Sequence, residues 1–364
     1  MSKAAELANL IGNINAGGGG VNRNVLINGA MNVAQKATSS TGLGASNGYF
    51  TCDRWKAEFD STAGRLTMTQ DSSAPSGFAN SMKLACTTAD TSIAAGELFL
   101  IQQRIEGQNL QAFAKGTSDA KPFAVSFYVK GNASATYVAE LFDQDNLRHV
   151  AKTFSVTTDW TRVELSFPAD TTGGLDDDNA RSLDLNIWLH AGSTYTSGTL
   201  PATWASNTSA NRAAGISSFF DSTARTFFIT GVQLEVGQNA TEFESEPFDV
   251  TLRKCNRYFE KVEVTAGSYA HIAYAYTTTD QRAVLSYEKK RANPSFSFDN
   301  QGDVIVFYNG SSSDTDPNWN YHDAGPNSCR VSITLTGVST TAGYATAAYV
   351  NGSVTYNIKV DAEL

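Results

Sequence analysis

Alternation with a period of two residues runs through most of this 364-residue chain, and it restricts the fold more than any other feature. In KPFAVSFYVKG, Phe123, Val125, Phe127 and Val129 fall on one side of an extended backbone, with Ala124, Ser126, Tyr128 and Lys130 on the other. ATYVAELFDQ, HVAKTFSVTTDWTRVELSFPAD and RSLDLNIWLHAG repeat the habit, separated by polar or glycine-bearing turns. RTFFITGVQLEVG supplies a last strand, in which Gly231 marks a bulge. Roughly eight to ten strands within about 200 residues, with no helical period between them, predict an antiparallel sandwich of jelly-roll type.

Composition supports an all-β reading. Charged residues make up only 17% of the chain and hydrophobic residues 41%, which suits short strands with polar outer faces. The net charge of −9 excludes a nucleic-acid partner, because phosphate binding needs a basic stripe. Cys52, Cys86, Cys255 and Cys329 stand singly, as buried small hydrophobes do. The four histidines are equally dispersed, so no zinc-ligand spacing is present. MSKAAELANLIGNIN lacks the continuous apolar stretch of a signal peptide, and no window reaches the length of a membrane span. The expectation is synthesis in a cytoplasm without membrane insertion.

The two ends break the period. Over Ser2–Ile14, Leu7, Leu10, Ile11 and Ile14 recur at helical spacing, and NAGGGG then offers a hinge. So short a helix is marginal alone, so it either joins copies of itself, docks on another protein or folds back on its own domain. In EPFDVTLRKCNRYFEKV, Leu252, Cys255, Phe259 and Val262 make a heptad-like stripe with Asp249 as a cap. That helix packs on its own domains or lines a trimer axis. Short alternating strands follow, with Val331, Ile333 and Leu335 facing inward. The predicted layout is an anchoring helix and hinge at 1–20, a sandwich at 21–247, a linker helix at 248–262 and a smaller β-domain at 263–364.

At this point the sequence resembles a known group. NVLINGAMNVAQKAT, followed by NGYFTCDRWKAE, is similar to the start of many bacteriophage tail-fibre and tail-tip proteins. Asn28, Gln35, Thr38, Asp53, Arg54 and Trp55 match the group's pattern, and Gln233, Glu235 and Gly237 match its closing strand. LRKCNRYFEK, SYEKKRANPSFSF and the final DAEL also correspond, so the likeness runs in segments from residue 21 to 364. The group's first domain resembles carbohydrate-binding modules built as jelly rolls, and its fibres are typically trimers. The resemblance implies that LINGAMNVAQ is the sandwich's first strand. It implies a homotrimeric virion protein on the tail, less so the capsid surface, joined to other virion proteins by its amino-terminal helix and contacting host-surface glycan. An architectural virion protein without glycan recognition is the alternative, and a depolymerase a third.

Candidate sites follow from the residues. On LDLNIWLH, Leu183, Leu185, Ile187 and Leu189 point to the core, which leaves Asn186, Trp188 and His190 on the other face as a sugar platform. The alternative is that the excursion from Gly192 to Arg212, or another subunit, covers Trp188. Trp319 and Tyr321, in the long polar segment NGSSSDTDPNWNYHDAGPNS, form a second candidate. Asp53 and Glu235, near the first and last strands, are candidate ligands for a structural calcium, or else hydrogen-bonding edge residues. No enzyme is expected. No serine sits in a Gly-x-Ser-x-Gly turn, and Asp176, Asp177 and Asp178 read as a solvated turn rather than a glycosidase pair.

Overall fold

The computed structural model describes residues 3–5, 22–299, 304–308, 311–314, 318–336, 339–350 and 355–364. Lys3–Ala5 are helical, but Leu7, Leu10, Ile11 and Ile14 lie outside the described residues. The chain divides into two compact units, the first running to Leu252 and taking in Leu364, the second Arg253–Glu363.

In the first unit the strands are β1 (Ser39–Leu43), β2 (Gly48–Tyr49), β3 (Lys56–Asp60), β4 (Arg65–Asp71), β5 (Ser81–Thr88), β6 (Leu98–Glu106) and β7 (Phe123–Gly131). They continue as β8 (Ala135–Asp143), β9 (Arg148–Val156), β10 (Thr161–Phe167), β11 (Arg181–Ala191), β12 (Ala205–Ser206) and β13 (Thr226–Val236). One sheet has the order β1-β4-β5-β13-β7-β10, the other β12-β9-β8-β11-β6-β3-β2. The period-two rows close the space between them. Phe123, Val125, Phe127 and Val129 from β7 meet Leu183, Leu185, Ile187 and Leu189 from β11 in one core, all fully buried. Each such side chain stabilises the sandwich by roughly 1.5–3 kcal/mol relative to exposure. Gly231 has φ +62°, and the register of β13 against β7 shifts between Thr230 and Gln233, as a bulge there requires.

The segment matched to LINGAMNVAQ is not a strand. Asn28 and Met31 both have φ near +58°, which no continuous strand tolerates. The stretch instead lies along β13 by isolated bonds: Val25 N donates to Leu234 O at 3.0 Å, and Val232 N to Gly29 O at 3.0 Å. It still buries Leu26, Met31 and Val33.

The second unit holds β14 (Phe259–Val264), β15 (Tyr269–Ala275), β16 (Asp280–Ser286), β17 (Ser295–Asp299) and β18 (Val304–Tyr308). Next come β19 (Ser311–Asp314), β20 (Asn318–His322), β21 (Ser328–Thr334), β22 (Ala345–Val350) and β23 (Tyr356–Asp361). A three-stranded sheet, β14-β23-β17, and a seven-stranded sheet, β19-β18-β22-β15-β16-β21-β20, share a core around Val331, Ile333, Ile358 and Val360. The helix expected over 248–262 is shorter. It spans Phe248–Asn256, and Phe259 and Val262 belong to β14, paired with Asp361 and Ile358 of β23. Sheet pairing overrides the heptad spacing there, because β14 gains a full ladder against β23.

Candidate functional site

The residues that carry the sequence resemblance form structural joints. Asn28 Nδ2 donates to Val33 O and Asp53 O, while its Oδ1 accepts from Val33 N. Asp53 accepts from Gln35 N at 2.8 Å and from Gln35 Nε2 at 2.7 Å, and Trp55 Nε1 donates to Asn28 O. At the closing strand, Glu235 accepts from Gln233 Nε2 and from both N and Oγ1 of Thr241. Gln233 Oε1 in turn accepts from Glu244 N. The Glu244 carboxylate receives the backbone N–H groups of Asn22, Arg23 and Asn24 at 2.6, 2.6 and 3.1 Å, which pins the incoming chain. Asp53 and Glu235, the candidate calcium ligands, accept hydrogen bonds in separate networks.

Asn186, Trp188 and His190 do lie on the outward face of β11, but the structure covers them. Trp188 and His190 are fully buried and Asn186 nearly so. The excursion after β11 lays Tyr195 5.4 Å from the Trp188 ring and the Arg212 guanidinium 4.9 Å from its centre. Glu140 of β8 gathers the cluster. It accepts from Trp188 Nε1 (2.8 Å), Asn186 Nδ2 (3.0 Å), His149 Nδ1 (2.8 Å) and Arg212 Nε and Nη2 (2.9 and 2.8 Å). Burial works to raise the Glu140 pKa, yet Arg212 and His149 overcome it and hold the carboxyl at about 2. No sugar ring can stack on an indole whose face is filled. The reason is the length of the excursion, which supplies its own lid.

Trp319 and Tyr321 are likewise not loop residues. Both sit on β20, in register with Ile333 and Val331. Trp319 is buried beside His271 (5.4 Å) and Tyr356 (5.7 Å), and Tyr321 stacks on Phe296 and Phe298. Within the long polar segment Asn318–His322 pairs as a strand, which turns its aromatics inward.

An open aromatic surface exists elsewhere. On the outer face of the seven-stranded sheet of the second unit, Ile272 is 71% exposed, Val284 69%, Tyr274 49% and Tyr276 51%. Register places Tyr274 beside Arg282, Arg282 beside Ser332, Val284 beside Arg330, and Ser332 beside Asn320. Ser332 itself is buried and donates its hydroxyl to Asp280 at 2.8 Å, so the result is an apolar strip grading into the cations Arg282 and Arg330, with the exposed amide of Asn320 beyond. Arg282 stands 3.2 Å over the Tyr276 ring and is held by Asp280 at 3.1 Å. A shallow groove of about 550 Å³ lies among Ile272, Tyr274, Arg282, Val284 and Arg330. The signal was present in YAHIAYAYTTT, where bulky residues alternate with alanine and histidine. Either set could have been the inner one, and the small set is.

No protein-family model matches the chain, and no curated protein matches it. Among solved structures, the enzymatically active domain of tailspike protein 4 of bacteriophage CBA120 is 13% identical with a TM-score of 0.30, over 59% of this chain and 21% of that one. The chain thus spans about a fifth of the tailspike chain it matches. TmCBM61, in complex with β-1,4-galactotriose, is 10% identical with a TM-score of 0.31, over 59% and 99%. The family 11 carbohydrate-binding module of Lic26A-Cel5E from Clostridium thermocellum is 13% identical with a TM-score of 0.27, over 54% and 95%.

Proposed function

We propose that this chain is a fibre protein of a phage virion, borne on the tail as a homotrimer, and that it contacts host-surface glycan through the outer sheet face of its second unit. The observation that carries the reading is the half-exposed Tyr274 and Tyr276 on a sheet face that also carries Arg282, Arg330 and the exposed Asn320. Sugars present apolar C–H faces and rings of hydroxyls, and that surface offers aromatic area with hydrogen-bonding groups alongside. The sequence resemblance to tail-fibre proteins supports the setting, and the amino-terminal helix and glycine hinge expected from the sequence would suit attachment to other virion proteins.

A specific observation favours a second reading of the same face. Ile272 and Val284, each about 70% exposed, are poor partners for a polyol and good ones for another protein surface. On that reading the sheet packs against a virion protein and the role is architectural. The two are separable. The full chain and a Tyr274→Ala/Tyr276→Ala variant are applied to a microarray of host-surface polysaccharides, and Ile272→Ser/Val284→Ser is followed by light scattering. Glycan recognition predicts binding that falls at least tenfold in the tyrosine variant with mass unchanged in both. Absence of glycan binding, with a change of assembly in the aliphatic variant, assigns the face to architecture.

A further inference from the structure

Three side chains outside that surface converge from separate segments of the first unit. Asp90 follows β5, Glu97 precedes β6 and His190 lies near the end of β11. One ligand atom of each falls within 4.8 Å of the other two, and all three residues are buried. Among the described residues no other set of three histidine, cysteine, aspartate or glutamate side chains comes together this closely.

The geometry is fixed from outside the cluster. His190 Nδ1 lies 2.8 Å from Ser218 Oγ, which leaves Nε2 directed at Glu97 Oε2 at 3.3 Å. That separation matches the roughly 3.3 Å edge of a tetrahedron with about 2.0–2.1 Å bonds to a central metal. An outer group that holds one imidazole nitrogen while the other faces inward is the usual arrangement around a metal ligand. Asp90 is positioned by Thr62 Oγ1 and Ala63 N, which donate to its Oδ2, and by its own N–H to Phe220 O. Glu97 is anchored by Gly192 N, which donates to its carbonyl at 2.8 Å.

Charge points the same way. Several buried carboxylates elsewhere in this unit have a cation of the chain beside them: Lys115 lies 2.5 Å from Asp143 and 3.1 Å from Asp170, and Arg212 pairs with Glu140, while Glu235 is held by the neutral donors of Gln233 and Thr241. Among the described residues, no lysine or arginine pairs with Asp90 or Glu97; His190 faces Glu97, and Asp90 is held by the neutral donors of Thr62 and Ala63. Two carboxylates held together away from water need compensating positive charge. Residues 91–96, which join them, are all exposed, so an ion has a short path in.

We propose that Asp90, Glu97 and His190 bind one divalent transition-metal ion of the zinc type, which ties the connection before β6 to the end of β11. One imidazole with two carboxylates suits that class, whereas calcium prefers six to eight oxygens. The proposal is independent of what the second unit binds.

The test uses the full-length chain, incubated with zinc chloride, dialysed against metal-free buffer and assayed by plasma mass spectrometry and thermal unfolding. The expected result is one zinc per chain and a Tm several degrees above that of the chelated protein, with both lost in Glu97→Gln and His190→Ala and kept in His322→Ala at an exposed histidine. Glu97→Gln preserves the size of the side chain and a hydrogen bond to the imidazole, so a merely structural cluster survives it without a change in metal content. Should a variant lose its far-UV circular dichroism, zinc titration of the wild type decides alone. No saturable one-to-one step, zinc retained undiminished in both variants, or calcium bound in place of zinc would each overturn the proposal.

Discussion

His271 is a histidine kept from its proton. It is buried against Trp319, and no hydrogen-bond partner reaches its Nε2 among the described residues. Burial pushes its pKa down from 6.5 to about 4. Because the folded value is depressed, the unfolded chain binds the proton first. The neutral ring therefore contributes its full stability above about pH 6.5, and that contribution is lost as pH falls toward 4. A gap of this size corresponds to roughly 3 kcal/mol. Urea unfolding followed at pH 7 and pH 4.5 is expected to show a larger loss for the wild type than for His271→Leu; equal losses would contradict the account. Much at this scale was legible beforehand. Phe123, Val125, Phe127 and Val129 could be assigned to the core because strand geometry fixes their side without knowledge of neighbours. Trp188 could not, since the ring's exposure is decided by Tyr195 and Arg212, and only tertiary structure brings those to it.

Among the elements, the passage from Asn22 to Thr38 departs furthest from its pattern. Its apolar residues are buried as a strand's would be, but Asn28 folds the backbone back by clamping Val33 on both its N–H and its carbonyl. Gly29 then passes so close to β13 that a Cβ would stand 2.1 Å from Val232 O, a backbone atom that cannot step aside. Gly29→Ala is expected to destabilise the first unit by about 1–3 kcal/mol. Gly96→Ala, where nothing lies within 4 Å, should leave stability unchanged or raise it by about 0.5 kcal/mol. Thermal unfolding of the two variants compares them directly, and a neutral Gly29→Ala would show that the segment does not seat on β13 as described. Sequence could not show this because a left-handed Met31 follows from the clamp, not from its own preference. The helix after Pro247 is shorter than its spacing predicts for a related reason: Phe259 and Val262 fit both a heptad and a strand, and β23 decides between them.

Across the whole molecule, two separate cores carry two kinds of surface. The first unit uses its outward tryptophan and the buried Glu140 carboxylate to hold a long excursion in place. On β15 and β16 the second unit buries Ala273, Ala275 and Ala283 and leaves Ile272, Tyr274 and Val284 outside, which an ordinary globular unit has no stability reason to do. All-β architecture could be read from periodicity alone. The location of an exposed face could not, because two alternating sets look alike until the strands are stacked. On the proposed function, contact with the host falls to Tyr274 and Tyr276 and not to Trp188. The direct measurement is competition for adsorption, in which purified full-length chain is mixed with host cells before phage is added. Wild type and Trp188→Phe are expected to block adsorption alike, while Tyr274→Ala/Tyr276→Ala blocks at least tenfold less. Full blocking by the double tyrosine variant, or loss of blocking in a folded Trp188→Phe protein, would contradict this expectation.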